Sequence, residues 1–134
     1  MIGSIIGDVA GSCYEFCNTK SKNFEFFSER SRFTDDSVLT TATADWLLHG
    51  GKCGTYYADW GNTFPSAGYG GRFRDWMWGM EHKGYAESYN SCGNGSAMRI
   101  GPVGWAFNTI EETMEAAKTS ASAAGALYVF ERLI

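Results

Sequence analysis

Long apolar runs, a surplus of basic residues and an export-type N-terminus are all missing from this 134-residue sequence. No stretch is apolar enough to span a bilayer, and the first residues reach Asp8 without a basic cluster, which argues against a signal peptide. The formal net charge of −4 argues against a general nucleic-acid binder. These absences predict a cytoplasmic protein with no membrane and no nucleic acid among its partners.

Zinc-ligand spacing, internal repeats and alternating β-branched runs are missing as well. Of the four cysteines, only Cys13 and Cys17 lie close in sequence, so Cys53 and Cys92 complete no zinc pattern, and all four are interpreted as reduced, buried thiols. Hydrophobic residues make up 44% of the chain, which is enough for a packed core. Without strand patterns or a linker, the sequence predicts one all-α domain over residues 1–134.

Apolar spacing and capping residues predict where the helices lie. An apolar stripe indicates a first helix over 2–16, and Thr34 is typical of the N-cap of a second helix that Gly50 ends. Thr109 and Glu112 form a capping-box pattern before a last helix. Shorter helices are predicted at 55–63 and around 73–80, with loop-like residues at 83–97.

Glycine recurs on one face of the predicted first helix, at Gly3, Gly7 and Gly11. Each glycine costs roughly 1 kcal/mol relative to alanine inside a helix. Three of them therefore indicate that another backbone or a ligand approaches this face closely. Tight helix packing and ligand contact are equally open alternatives.

The connection over 17–33 combines positive charge with aromatic residues. Its cations outnumber its acidic residues: Lys20, Lys22, Arg30 and Arg32 against Glu25 and Glu29. Such a patch attracts a phosphate ligand, although a solvated loop of mixed charge explains the composition at least as well. Phe24, Phe26 and Phe27 are expected to hold this loop against the core.

Three segments carry groups suited to chemistry, and the first is Thr34, Asp35 and Asp36. They offer hard oxygen ligands for magnesium or manganese, and successive side chains point about 100° apart around a helix. The same tripeptide also suits an ordinary helix start, where threonine caps and aspartate favours the helix dipole. The tripeptide alone leaves both interpretations open.

The other two segments flank this tripeptide in sequence. Asp8 lies among apolar residues, so it is either exposed or held in a polar pocket, and Glu15 either swings over a site or is solvated. Glycines around Asn94, in the segment 91–99, allow backbone N–H groups to converge on phosphate or ribose oxygens. An ordinary glycine-containing turn is the alternative.

Together and in this order, the segments resemble the ADP-ribosylglycohydrolase family, whose members remove ADP-ribose from dinitrogenase reductase, arginine or serine. The matching motifs are Gly7-Asp8-x-x-Gly11-Ser12-x-Tyr14-Glu15, Phe33-Thr34-Asp35-Asp36-Ser37, Tyr69-Gly70-Gly71-x-Phe73, Gly93-Asn94-Gly95-Ser96-Ala97-Met98-Arg99 and Pro102-Val103-Gly104. The resemblance covers about residues 1–121 and leaves 122–134 as a divergent tail.

The resemblance implies an all-helical fold that holds two magnesium or manganese ions between its N- and C-terminal halves. Thr34, Asp35 and Asp36 match the N-terminal metal ligands, and the implied catalytic residues are Asp35, Asp36 and Glu15, which matches a glutamate on a movable gating loop. Asp8 belongs to the motif, with a supporting role and a direct contact both open. Contacts with the diphosphate and ribose are implied for Gly70, Ser91, Cys92, Gly93, Asn94 and Gly95.

The implied activity is a metal-dependent hydrolase that releases ADP-ribose from modified protein side chains or related compounds. Family chains are longer, and their C-terminal half supplies a second Asp-x-Asp-Thr/Ser cluster, whereas Asp45, Asp59 and Asp75 here form no such pattern. The chain is therefore expected to need a missing C-terminal half, or to dimerise. The alternatives are a truncated, non-catalytic ADP-ribose-binding remnant and a plain helical interaction protein.

Overall fold

Seven helices and no strand occur in the part of the chain that the computed structural model describes, which is residues 1–89, 91 and 93–124. In chain order they are α1 (Ile2–Gly11), α2 (Asp35–His49), α3 (Cys53–Thr63), α4 (Gly71–Lys83), α5 (Gly95–Met98), α6 (Val103–Ala106) and α7 (Ile110–Ala123). The all-α prediction is confirmed. None of these seven helices combines the length and apolar character that crossing a membrane needs. Cys92 and most of the divergent tail lie outside the described residues.

The central helix is α2, which packs against α1, α3, α5 and α6. Leu39 is buried on it together with two threonines, Thr40 and Thr43. The threonine hydroxyls donate to the carbonyl oxygens of Met98 (3.3 Å) and Leu39 (2.8 Å) respectively. Because these hydroxyl groups are hydrogen-bonded, their burial costs little free energy, and other helices can pack on several sides of α2. These neighbours hold the N-terminus of α2 in place.

Caps confirm two predicted helix starts. Thr34 Oγ1 accepts a hydrogen bond from Asp36 N (3.3 Å) at the start of α2, and Thr109 Oγ1 accepts one from Glu112 N (3.2 Å) at the start of α7. The predicted end of α2 is confirmed as well, since Gly50 takes a φ of 73° that suits glycine. Local sequence signals suffice here because each cap joins residues within one turn of each other.

Helix α1 is shorter than predicted, since it ends at Gly11 and not at residue 16. The Ser12 hydroxyl accepts a hydrogen bond from Arg32 N (3.1 Å), and the Tyr14 hydroxyl donates to Glu25 O (2.7 Å). After Gly11 the chain therefore forms hydrogen bonds with residues distant in sequence and no longer continues the helix. The apolar stripe could not reveal them.

The buried-thiol prediction holds for one of the three described cysteines. Cys53 is buried, whereas Cys13 is partly exposed and Cys17 is exposed. Cys13 and Cys17 both follow the early end of α1, so they lie in a surface turn and not on the inner face of a packed helix.

The three loop phenylalanines do not pack into the core, so that prediction is wrong. Phe24, Phe26 and Phe27 are 45%, 51% and 53% exposed. They contact one another and Tyr14 instead, with ring centroids 5.6 Å apart for Tyr14 and Phe24, 6.3 Å for Phe24 and Phe26, and 4.8 Å for Phe26 and Phe27. We refer to these four side chains as the aromatic cluster. The rings pack against one another at the surface. The composition of the loop does not reveal whether its phenylalanines pack in this way or into the core.

The glycine face of α1 meets no close neighbour among the described residues. A Cβ placed at Gly3, Gly7 or Gly11 would find no described atom within 4 Å. The expected close approach of another backbone is therefore not observed in this part of the chain, and ligand contact stays a prediction.

We expect Gly7→Ala to stabilise the protein by about 0.5–1 kcal/mol, because alanine favours the helix and its methyl group enters open space. The matched variant Gly61→Ala on α3 should instead destabilise it by about 1–3 kcal/mol, since a Cβ there would clash with Met77 Sδ. Urea unfolding followed by circular dichroism measures both changes. A Gly7→Ala variant less stable than the parent would show that this face is covered.

Candidate functional site

The carboxylate of Asp8 holds the start of α2. Its Oδ2 accepts hydrogen bonds from Thr34 N (2.8 Å), Ser37 N (3.2 Å) and the Ser37 hydroxyl (2.5 Å), and its Oδ1 accepts one from the Thr34 hydroxyl (2.5 Å). The two N–H groups belong to the helix start, where backbone donors have no intrahelical partner. Of the two alternatives for Asp8, the structure shows the polar pocket.

The Thr34 hydroxyl is engaged on two sides. It donates to Asp8 and accepts from Asp36 N, and the residue is buried. A hydroxyl oxygen has two lone pairs, so one is left for a further contact. Thr34 is therefore a helix cap, and this role is compatible with the predicted contact to a metal ion.

Asp35 and Asp36 form a pair of partly buried carboxylates. Burial raises the pKa of Asp35 to about 6, and repulsion from Asp36, Glu15 and Asp8 adds to the effect. Burial also raises the pKa of Asp36, followed by repulsion from Asp8 and Glu15. Within the described residues, no lysine or arginine forms an ion pair with either carboxylate. A bound cation would compensate this charge and lower both pKa values.

Glu15 approaches the pair from the turn that follows α1. Its side chain is exposed, yet it lies near enough for its charge to raise the pKa of both Asp35 and Asp36. The structure therefore brings the three predicted catalytic residues, Glu15, Asp35 and Asp36, to one region.

Tyr69 and Gly68 complete the surroundings of Asp35. Tyr69 is buried, and burial together with the Asp35 charge raises the pKa of its hydroxyl well above the usual range. That hydroxyl has no hydrogen-bond partner among the described residues. Gly68 has a φ of +101°, and a Cβ there would lie 3.9 Å from Asp35 Oδ1. A buried hydroxyl without a partner is uncommon, because it gives up its hydrogen bonds to water and gains none in return.

A cavity of about 260 Å³ opens beside Asp35. Five of the six predicted substrate-contact residues line it: Gly70, Ser91, Gly93, Asn94 and Gly95. The sixth, Cys92, lies outside the described residues. The predicted residues Thr34, Asp36 and Glu15 are not part of the lining. Three segments distant in sequence thus meet at one cavity: the starts of α2 and α4 and the loop before α5.

The cavity is suited to an anion at the start of α4. Gly70 is the N-cap of this helix and makes no side-chain cap bond, and a Cβ at Gly70 or Gly71 would meet no described atom within 4 Å. Phe73 N already donates to Gly70 O (3.1 Å), which leaves the N–H groups of Gly71 and Arg72 as the first-turn donors at the positive end of the helix dipole. The guanidinium-bearing residues Arg72 and Arg99 also belong to the lining.

The glycine-rich loop uses one of its backbone donors internally. Gly93 N donates to Ser91 Oγ (3.1 Å), so this N–H group is not directed at a ligand as the cradle prediction required. Asn94 and Gly95 lie on the cavity wall, where they can still contact a ligand. The loop therefore supplies fewer backbone donors than its glycines suggest.

Arg99 ties this loop to the core. It is only 1% exposed, and its guanidinium carbon lies 4.2 Å from the centroid of the Tyr57 ring. Its Nη2 donates to Ser120 O (3.0 Å), and the Tyr57 hydroxyl pairs with Ser120 Oγ (2.7 Å) and Thr43 Oγ1 (3.0 Å). The loop, α2, α3 and α7 are thereby linked through one buried polar network.

Three polar residues of the lining were missed by the sequence analysis: Arg72, Tyr89 and Arg99. Arg72 directly follows the Tyr69-Gly70-Gly71 motif, and Arg99 ends the glycine-rich motif, so adjacency to a motif could have marked both. Tyr89 lies in a loop without periodicity, where the sequence carries no corresponding signal.

The residues present fit part of a magnesium or manganese site. Asp35 and Asp36 offer carboxylate oxygens, which both ions prefer, and neither carboxylate forms an ion pair with a lysine or arginine among the described residues. Across residues 1–89, 91 and 93–124, however, no group of three or more His, Cys, Asp or Glu side chains is arranged to hold an ion. The two aspartates would thus supply only some of the ligands.

A family model described as ADP-ribosylglycohydrolase matches residues 1–126 of the chain. The matched stretch contains every motif and every predicted site residue described above. No curated protein matches the chain.

Proposed function

The chain belongs to the ADP-ribosylglycohydrolase family, and from this premise we propose that it acts in metal-dependent hydrolysis of the bond between ADP-ribose and a protein side chain or related acceptor. Asp35 and Asp36 are the proposed metal ligands, with the free lone pair of Thr34 as a third oxygen. Magnesium or manganese is the proposed ion.

One observation carries this proposal. Asp35 at the start of α2 and the loop residues 93–95 line the same cavity, together with the start of α4. The carboxylate side suits a cation and the helix-start side suits a phosphate. A ligand that carries ribose hydroxyls next to a diphosphate needs both environments within one pocket.

The proposed reaction breaks the bond between the anomeric carbon of the ribose and the acceptor atom. A water oxygen forms the new bond to that carbon, and a proton passes to the acceptor. A bound divalent ion would supply Lewis-acid stabilisation and lower the pKa of the water. Glu15 would accept a proton from the water or hold a ribose hydroxyl.

The other residues would position these groups. Asp8 and Thr34 hold the backbone at the start of α2 through their hydrogen bonds, and they would thereby orient the Asp35 and Asp36 side chains. The first turn of α4 would hold the diphosphate through its N–H groups, and Asn94 would contact the ribose or diphosphate from the opposite loop.

The proposal includes a further contributor to the ion site. Because the described residues offer only part of a ligand set, other ligands would come from a separate C-terminal half or from a second copy of the chain. A divalent ion held by two carboxylates alone would otherwise complete its shell with water.

Release of ADP-ribose from an ADP-ribosylated protein, followed by chromatography, tests the proposal. We expect release that requires magnesium or manganese and stops with EDTA, from the chain alone or with the C-terminal half of a longer family member added. Absence of both release and calorimetric ADP-ribose binding would overturn it. Binding without release under all these conditions would instead favour a non-catalytic binding module.

A further inference from the structure

The segment between Glu15 and Thr34 is positively charged in an otherwise acidic chain. Its charged residues are Lys20, Lys22, Glu25, Glu29, Arg30 and Arg32, and all six are exposed. Four positive and two negative charges give residues 16–33 a net charge of +2, so with −4 for the whole chain the remaining residues total −6. The molecule therefore carries a local positive patch.

The same segment exposes apolar rings. Three members of the aromatic cluster are about half exposed, and Phe16 beside Glu15 is 90% exposed. Contiguous exposed apolar groups are uncommon on soluble proteins unless a partner covers them. Aromatic and arginine side chains together are also typical of protein interfaces.

Hydrogen bonds give this surface a defined shape. The Tyr14 hydroxyl donates to Glu25 O (2.7 Å), Ser28 N donates to Ser31 Oγ (2.9 Å), and the Cys13 thiol pairs with the Ser28 hydroxyl (3.2 Å). A preformed surface loses less conformational entropy when a partner binds than a freely moving loop does.

Both ends of the segment adjoin the candidate site. It begins after Glu15, and it ends at Thr34, whose backbone and hydroxyl are bound by Asp8. A macromolecule attached to the acceptor end of a bound ADP-ribose would therefore lie close to this surface as it leaves the site.

We propose that Tyr14 and residues 16–33 form a docking surface for an acidic segment of the polypeptide that carries the ADP-ribose. This inference rests on the proposed function and adds a site for the protein part of the substrate. Carboxylates of the segment pair with the lysines and arginines, and its apolar side chains cover the exposed rings. A nucleic acid or anionic membrane fits less well, because the excess of negative charge elsewhere repels an extended polyanion.

The test measures binding of an unmodified fluorescent peptide rich in aspartate and leucine by anisotropy. We expect the double variant Lys20→Glu/Lys22→Glu to bind it about tenfold more weakly than the parent, and high salt to weaken the parent similarly. The control Lys52→Glu/Lys118→Glu changes the net charge equally at exposed lysines outside the segment and should stay within about twofold of the parent. Phe16→Ser, at an already exposed ring, should also weaken binding.

Calorimetry with ADP-ribose on the same variants separates this inference from the proposed function. ADP-ribose binding should be unchanged in the Lys20/Lys22 variant. Peptide binding that is absent in the parent, or reduced equally by both double variants, overturns the docking surface even when ADP-ribose still binds. Tighter binding of a single-stranded oligonucleotide or an anionic vesicle than of the peptide also overturns it. Peptide binding without either ADP-ribose binding or ADP-ribose release supports a surface for acidic peptides and contradicts the proposed function.

Discussion

Asp35→Asn is expected to abolish tight divalent-cation binding and to lower the rate of ADP-ribose release at least about 100-fold. The amide keeps the size of the side chain and removes the charge that a magnesium or manganese ion needs from this ligand. Calorimetric titration with each ion measures the first effect. Chromatographic release of ADP-ribose, under the conditions in which the parent is active, measures the second.

The same variant should be more stable than the parent at neutral pH and equally stable near pH 4. The folded-state pKa of Asp35 is about 6, above its ordinary value of 3.8. Between these values the folded chain binds more protons than the unfolded chain, so this carboxyl makes the free energy of unfolding fall as pH rises. The pKa difference corresponds to at most about 3 kcal/mol, which partial exposure and screening reduce to about 1 kcal/mol.

Asp59→Asn is the matched control, because Asp59 is exposed on α3 and the charge change is identical. It should bind cations like the parent and show no stability gain at pH 7. Urea unfolding at pH 4 and pH 7, without divalent ions, gives the comparison. An Asp35→Asn variant that still binds magnesium as tightly as the parent would contradict the assignment of Asp35 as a metal ligand.

Asp8→Ala is expected to destabilise the protein by about 3 kcal/mol, the largest stability loss predicted for a single side chain here. The change removes the acceptor of four hydrogen bonds and leaves the Thr34 and Ser37 donors without their partner. Asp8→Asn keeps one carbonyl oxygen and should lose about half as much. Both changes are measured by urea unfolding.

Cation affinity should fall in Asp8→Ala as well, because a frayed start of α2 no longer fixes the direction of Asp35 and Asp36. The two aspartate variants therefore affect stability in opposite directions and cation binding in the same direction. Asp59→Ala controls for the loss of an exposed carboxylate. A stability loss below about 1 kcal/mol for Asp8→Ala would show that water replaces the carboxylate at the helix start.

The sequence by itself determined the helical class, several helix boundaries and the family. Thr34 and Thr109 mark helix starts and Gly50 marks an end, because caps depend on groups within one turn of the chain. The order of the motifs pointed to the family that the match over residues 1–126 shows. These features are local, or they are a matter of order along the chain, and both can be read without coordinates.

Only the tertiary structure decided how those motifs work together. The bonds from Asp8 to Thr34 span 26 positions, and the pKa of Asp35 is raised mainly by burial, which exists only in the folded chain. The early end of α1 and the exposed aromatic cluster also result from contacts between distant residues. Solvent exposure and distance in space set these interactions, and hydrophobic periodicity along the chain contains neither quantity.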